Sequence, residues 1–129
     1  APAGIEALAA LNTEIAAAAA AGDRAALRSA NYRFHFRLYE GAEWPQTLHF
    51  VRILWAKYPF DLLAAMPGRP QQVAEEHAAF LDRLRERDVA GAVRAMRAHI
   101  ESGWTRFRAD GGGAPRRAGG RPDDGAAAG

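Results

Sequence analysis

The chain contains no cysteine in its 129 residues. Disulfides and thiolate metal sites are therefore excluded, and nothing calls for an oxidising compartment. Lysine is nearly missing too: Lys57 is the single one among 17 basic residues, and the other 16 are arginines. Residues branched at Cβ are few while alanine and leucine dominate, which favours helix over strand. No apolar run approaches the length of a membrane span. The N-terminus shows neither the charged stretch nor the apolar run of a secretion signal. The expectation is a soluble, cytoplasmic protein with no membrane partner. A strong charge imbalance is also lacking. The net charge is +2, and bases alternate with acids, as in "DRLRERD" at 82–88. This reads as a solvated mixed surface rather than a nucleic-acid footprint.

What is present is helical periodicity. A first helix is predicted from about Gly4 to Ala21, with Ile5, Leu8, Leu11 and Ile15 on one stripe. "GD" at 22–23 ends it, and Asp23 caps a second helix that runs to about Tyr39. A third starts near Pro45, with Leu48, Val51, Trp55, Tyr58 and Leu62 as its buried stripe. Pro59 interrupts that pattern and predicts a kink or a break. "MPGRP" at 66–70 is a loop. A fourth helix runs from about Pro70 to Arg87, with Val73, His77, Phe80, Leu81 and Leu84 on one face. Asp88 caps a fifth, whose apolar residues are Val89, Val93, Met96, Ile100, Trp104 and Phe107. The sum is an all-α antiparallel bundle over residues 4–108. Residues 109–129, Gly, Ala, Pro and charge without apolar periodicity, read as a disordered tail.

Three histidines sit one apiece on separate helices. His77 falls on the apolar face of the fourth helix, where a titratable group must be paired or coordinated. The plain alternative is a core histidine bonded to a backbone carbonyl. His35, in "NYRFHFRLYE", lies four residues after Asn31, so an amide oxygen and an imidazole share one face and can grip one ion. His99 lies near the small residues Ala95 and Gly103, which leave room for a cavity or for close helix packing. His49 reads as a surface or rim residue. Three neutral imidazoles suffice to hold a divalent ion with open positions, and a bundle interior brings such side chains together.

Taken together, "NYRFHFRLYEGA", "LWAKYPFDLL" and "PGRPQQVAEEHAAFLDRLRERDVAGAVRAMRAHIE" resemble the FCD effector-binding domain of GntR-family bacterial transcription regulators. Within these the match is to the FadR subfamily and its VanR-like branch. The spacings between the histidines fit as well, 42 residues from His35 to His77 and 22 from His77 to His99. The resemblance implies that Asn31, His35, His77 and His99 hold one divalent transition metal ion, zinc first and nickel second. It implies a small carboxylate effector at or beside that ion, and a homodimer. DNA would be met only through a winged helix-turn-helix domain, which is absent from this chain together with the first helix of the effector domain. Without that domain the chain is not expected to bind an operator. No enzymatic activity is implied. Asn31 stands where strong metal binders of the family carry Asp. A neutral amide leaves the ion's charge uncompensated, so metal should be held more weakly and an anionic effector favoured. Arg28, on the stripe of Asn31 and His35, and Arg52, beside Leu48 and Trp55, are candidates to clamp an effector carboxylate, with snorkelling surface arginines as the plain alternative. Because only neutral imidazoles bind metal, affinity should fall as pH drops through about 6.5. Two other functions compete. One is a helical three-histidine metal enzyme of the DinB-like kind, in which two histidines usually share a helix. The other is a metal-free dimerisation bundle.

Overall fold

The architecture comes from a computed structural model, which describes residues 2–41, 45–57 and 65–109. Five helices occupy them: α1 (Pro2–Ala21), α2 (Arg24–Glu40), α3 (Pro45–Lys57), α4 (Arg69–Arg85) and α5 (Val89–Ala109). There is no strand among the described residues. The fold is all-α, as the composition and periodicity predict.

The turns are written in local chemistry. Gly22 takes φ +67°, a left-handed conformation that glycine adopts without a Cβ penalty. Its N–H bonds the Ala19 carbonyl at 3.2 Å, and the Asp23 N–H bonds the Ala18 carbonyl at 3.0 Å. These bonds close the end of α1. The Asp23 carboxylate then accepts from the Ala26 N–H at 3.0 Å and opens α2. Asp88 does the same for α5, accepting from the Gly91 N–H at 2.8 Å. Such caps satisfy backbone donors that the first helical turn leaves free. Because the two turns are short, α1–α2 and α4–α5 are helical hairpins.

α1 packs on α2 and on α4, α4 packs on α5, and α3 meets α2. The core runs through Leu8, Ile15, Leu27, Phe34, Phe80 and Leu81. Ile5 and Leu11 of the predicted α1 stripe pack against it. Two side-chain amides tie α1 to α4 across this core: Asn12 donates to the Ala74 carbonyl at 2.9 Å, and Gln71 to the Ala19 carbonyl at 3.3 Å. Arg33 pairs with Glu14 and links α1 to α2.

The last helix departs from its predicted packing. Val89, Val93, Ile100 and Trp104, the large residues of its stripe, are exposed. The face turned inward carries Gly91, Ala92, His99 and Gly103 instead. Small side chains let two helix backbones approach closely, and that decides which of the two faces packs. The large face borders a surface groove of about 490 Å³, with Phe80, Leu84 and Leu38 along its other wall. The kink or break expected at Pro59 and the Tyr58–Leu62 end of the third stripe lie outside the described residues. So does the expected tail from residue 110 onward; Ala109 is the last residue of α5.

Candidate metal centre

The inward faces of α2, α4 and α5 meet at three imidazoles. On α2, Phe34 is fully buried in the core, and the next residue, His35, is turned by about 100° around the helix. That step carries the His35 ring out of the core and toward α5. It is itself 3 % exposed, roofed by the Trp55 ring of α3 at a centroid distance of 5.2 Å. On α4, His77 is fully buried and lies flat on Phe34, with ring centroids 4.0 Å apart and planes 5° from parallel. On α5, His99 is buried on the small-residue face. The three residues each offer a ring nitrogen, and these nitrogens all lie within 4.8 Å of one another. His77 Nε2 and His99 Nε2 are 3.2 Å apart.

Burial dominates the electrostatics of the group. It pushes the His35 imidazole down to about 3, helped by repulsion from His99. His77 is pushed down to about 2 by burial first, then by the neighbouring His35, His99 and Arg69 charges. Both rings are therefore neutral at ordinary pH, the form that binds metal. Two polar atoms of the group are buried without a hydrogen-bond partner, Asn31 Oδ1 and His77 Nδ1. Asn31 sits one helical turn before His35 on the same face. Tyr39 Oη stands 3.5 Å from His35 Nδ1.

The residue set fits a metal ion. Two nitrogens bound tetrahedrally to zinc at the usual bond length are separated by about 3.3 Å, close to the 3.2 Å between the Nε2 atoms of His77 and His99. The orphaned amide oxygen of Asn31, one helical turn from His35 on the same face, is a further donor of suitable type.

Both predicted effector arginines are at the surface. Arg28 is exposed on α2, two helical turns before His35. Arg52 is also exposed, 3.8 Å from Glu40 and with its guanidinium 5.6 Å from the centre of the Phe36 ring. His49 is exposed, as expected.

The fold brings three further residues to the centre, none of them assigned to the site from the sequence. Glu76 Oε2 lies 2.6 Å from His99 Nδ1, within hydrogen-bond distance. The Ser102 hydroxyl donates to Glu76 Oε1 at 2.6 Å. Arg69 Nη1 donates to both Glu76 oxygens at 3.1 Å, and Nη2 reaches the His99 carbonyl at 3.4 Å. Burial alone would raise the Glu76 carboxyl, but the bonds from His99 and Ser102 and the Arg69 charge outweigh it and hold it at about 2. One signal for Arg69 was available. A cation in the first turn of a helix opposes the helix dipole, so it needs a tertiary partner. Glu76 adjoins His77 in sequence, and side chains adjacent on a helix point about 100° apart, so Glu76 points away from His77 and at α5.

The FCD domain family model matches residues 1–102. This covers more than three quarters of the chain, which therefore belongs to the FCD domain family. No curated protein and no solved structure matches it.

Proposed function

We propose that this FCD domain is the ligand-sensing part of a GntR-family transcription regulator, with a divalent metal ion held by His35, His77, His99 and Asn31. The observation that carries the metal is the convergence of three buried imidazoles from three helices, with ligand nitrogens within 4.8 Å. FCD domains are regulatory, and this one has the means to sense. The bound ion would supply a Lewis-acidic centre with open positions for water or an effector carboxylate. Around it, His35 and His77 stay unprotonated, Trp55 covers the His35 ring, and Asn31 contributes a neutral oxygen that leaves the site cationic. Zinc suits this donor set first, nickel second. Arg52, on α3 beside the roof of the site, is the arginine we assign to an effector carboxylate, with Arg28 farther along α2. In this reading, ligand state is relayed through a homodimer to winged-helix domains that meet DNA.

A hydrolytic or transferase reading of the same histidines lacks a base. Among the described residues the carboxylate bonded to the cluster is Glu76, and at about 2 it is too weak a base at neutral pH.

Elemental analysis of the purified chain, beside a His77→Ala variant, tests the proposal. The expected result is about one zinc or nickel ion per chain after loading and dialysis, lost in the variant. A wild-type chain that retains no ion leaves the metal-free bundle as the correct description.

A further inference from the structure

We infer that Glu76 is a positioning residue: it fixes the tautomer and orientation of His99 so that Nε2 is the bare nitrogen turned toward His35 and His77. The consequence for metal affinity rests on the metal reading above; the tautomer assignment does not.

An ionised carboxylate can only accept hydrogen bonds. Arg69 Nη1 sits 3.1 Å from both Glu76 oxygens and Ser102 donates to one of them, so the group is held as a carboxylate, and its Oε2 lies 2.6 Å from His99 Nδ1. That nitrogen must therefore carry the proton. In the neutral form of the ring, the form that can ligate a metal, Nε2 is then left with its lone pair, 3.2 Å from His77 Nε2. His77 then donates from Nε2 when the site holds no ion. On this assignment the partnerless Nδ1 of His77 is a bare acceptor lone pair rather than an unpaired N–H.

Glu76 is not free to turn away. Ser102 and Arg69 hold both of its oxygens. Arg69 is itself 3 % exposed and also donates to the Ser102 hydroxyl oxygen at 3.0 Å. Gly103 makes the passage for it, since a Cβ there would come within 3.0 Å of Arg69 Nη2. The pair Glu76–Arg69 thus orients His99 while adding no net charge beside the ion. Carboxylates placed this way behind ligating histidines raise metal affinity by fixing the ring.

The test is the ¹⁵N spectrum of the histidine side chains in metal-free protein, together with zinc affinity by chelator competition, in wild type, Glu76→Gln and Ser102→Ala. The wild type is expected to show His99 protonated on Nδ1. In Glu76→Gln the amide can donate as well as accept, so His99 becomes a tautomer mixture and zinc affinity falls roughly 10- to 100-fold. Ser102→Ala moves both readings the same way by less. A merely structural role for Glu76 lowers the unfolding midpoint and leaves tautomer and affinity alone, which overturns the inference. So does a wild-type His99 protonated on Nε2, a result that needs no variant to fold. If the wild type binds no zinc, the metal reading fails, and the tautomer spectrum still decides this one.

Discussion

At the residue scale the centre is defined by what its members are denied. Three imidazoles are shut away from water, and one amide oxygen is shut away from any donor. A neutral donor set of this kind can bind a dication, but it offers no charge in return. Asn31→Asp supplies that charge one turn from His35 and should tighten zinc binding by at least about tenfold, or 1.4 kcal/mol, measured by chelator competition at pH 7.5. Unchanged affinity would remove Asn31 from the ligand set. The residues that orient the set were harder to find in the sequence than the set itself. A histidine on an apolar stripe announces itself, because burying it needs a reason. Glu76 and Ser102 look like surface residues of α4 and α5 until those helices are laid side by side. Their meaning is a contact between helices, which periodicity within either one does not contain.

At the scale of the element, turns were the most legible part. Glycine at a positive φ and aspartate at a helix start act on their own backbone within a few residues, so sequence alone places them. Asp88→Ala removes the cap that binds the Gly91 N–H and should cost about 1 kcal/mol, read as a shift in the denaturant midpoint with an unchanged slope. A change in slope would mean that more than a cap had been lost. The face by which α5 packs was not legible in the same way. It has two continuous faces, one of large apolar residues and one of glycine, alanine and histidine. The large stripe gives the stronger periodic signal, yet close packing against α4 selects the small one. His99 reaches the centre for that reason.

For the molecule as a whole, acid should be the weak point when no metal is bound. The folded state holds His35 at about 3 and His77 at about 2, whereas in the unfolded chain each titrates near 6.5. Above that value neither state binds protons at these sites. As pH falls below it, the unfolded chain takes up protons that the folded chain refuses, so stability is lost from about 6.5 down toward the folded values. Each ring contributes a slope of up to about 1.4 kcal/mol per pH unit. Glu76, also lowered in the fold, adds a loss in the same direction at more acidic pH. Guanidinium unfolding in the presence of a chelator should therefore show a clearly lower midpoint at pH 5.5 than at pH 7.5, and equal midpoints would contradict the burial of the two rings. The same shifts move the expected loss of metal. Protons do not compete for His35 and His77 in the intact fold at pH 6.5, so the loss of metal expected from these two ligands moves to lower pH.

The three histidines also have a topological consequence. They stand on α2, α4 and α5, and the loop from His35 to His99 spans 64 residues. An ion gripping all three works as a reversible cross-link, and closing a loop of that length costs the unfolded chain about 4 kcal/mol of entropy. In the metal-free protein, α5 can open while α1 and α2 stay paired, since its packing is on α4. With the ion in place it cannot leave without breaking the grip on α2. Amide hydrogen exchange in α5 should then slow to the rate of α2 on loading, and the two hairpins should open as one unit.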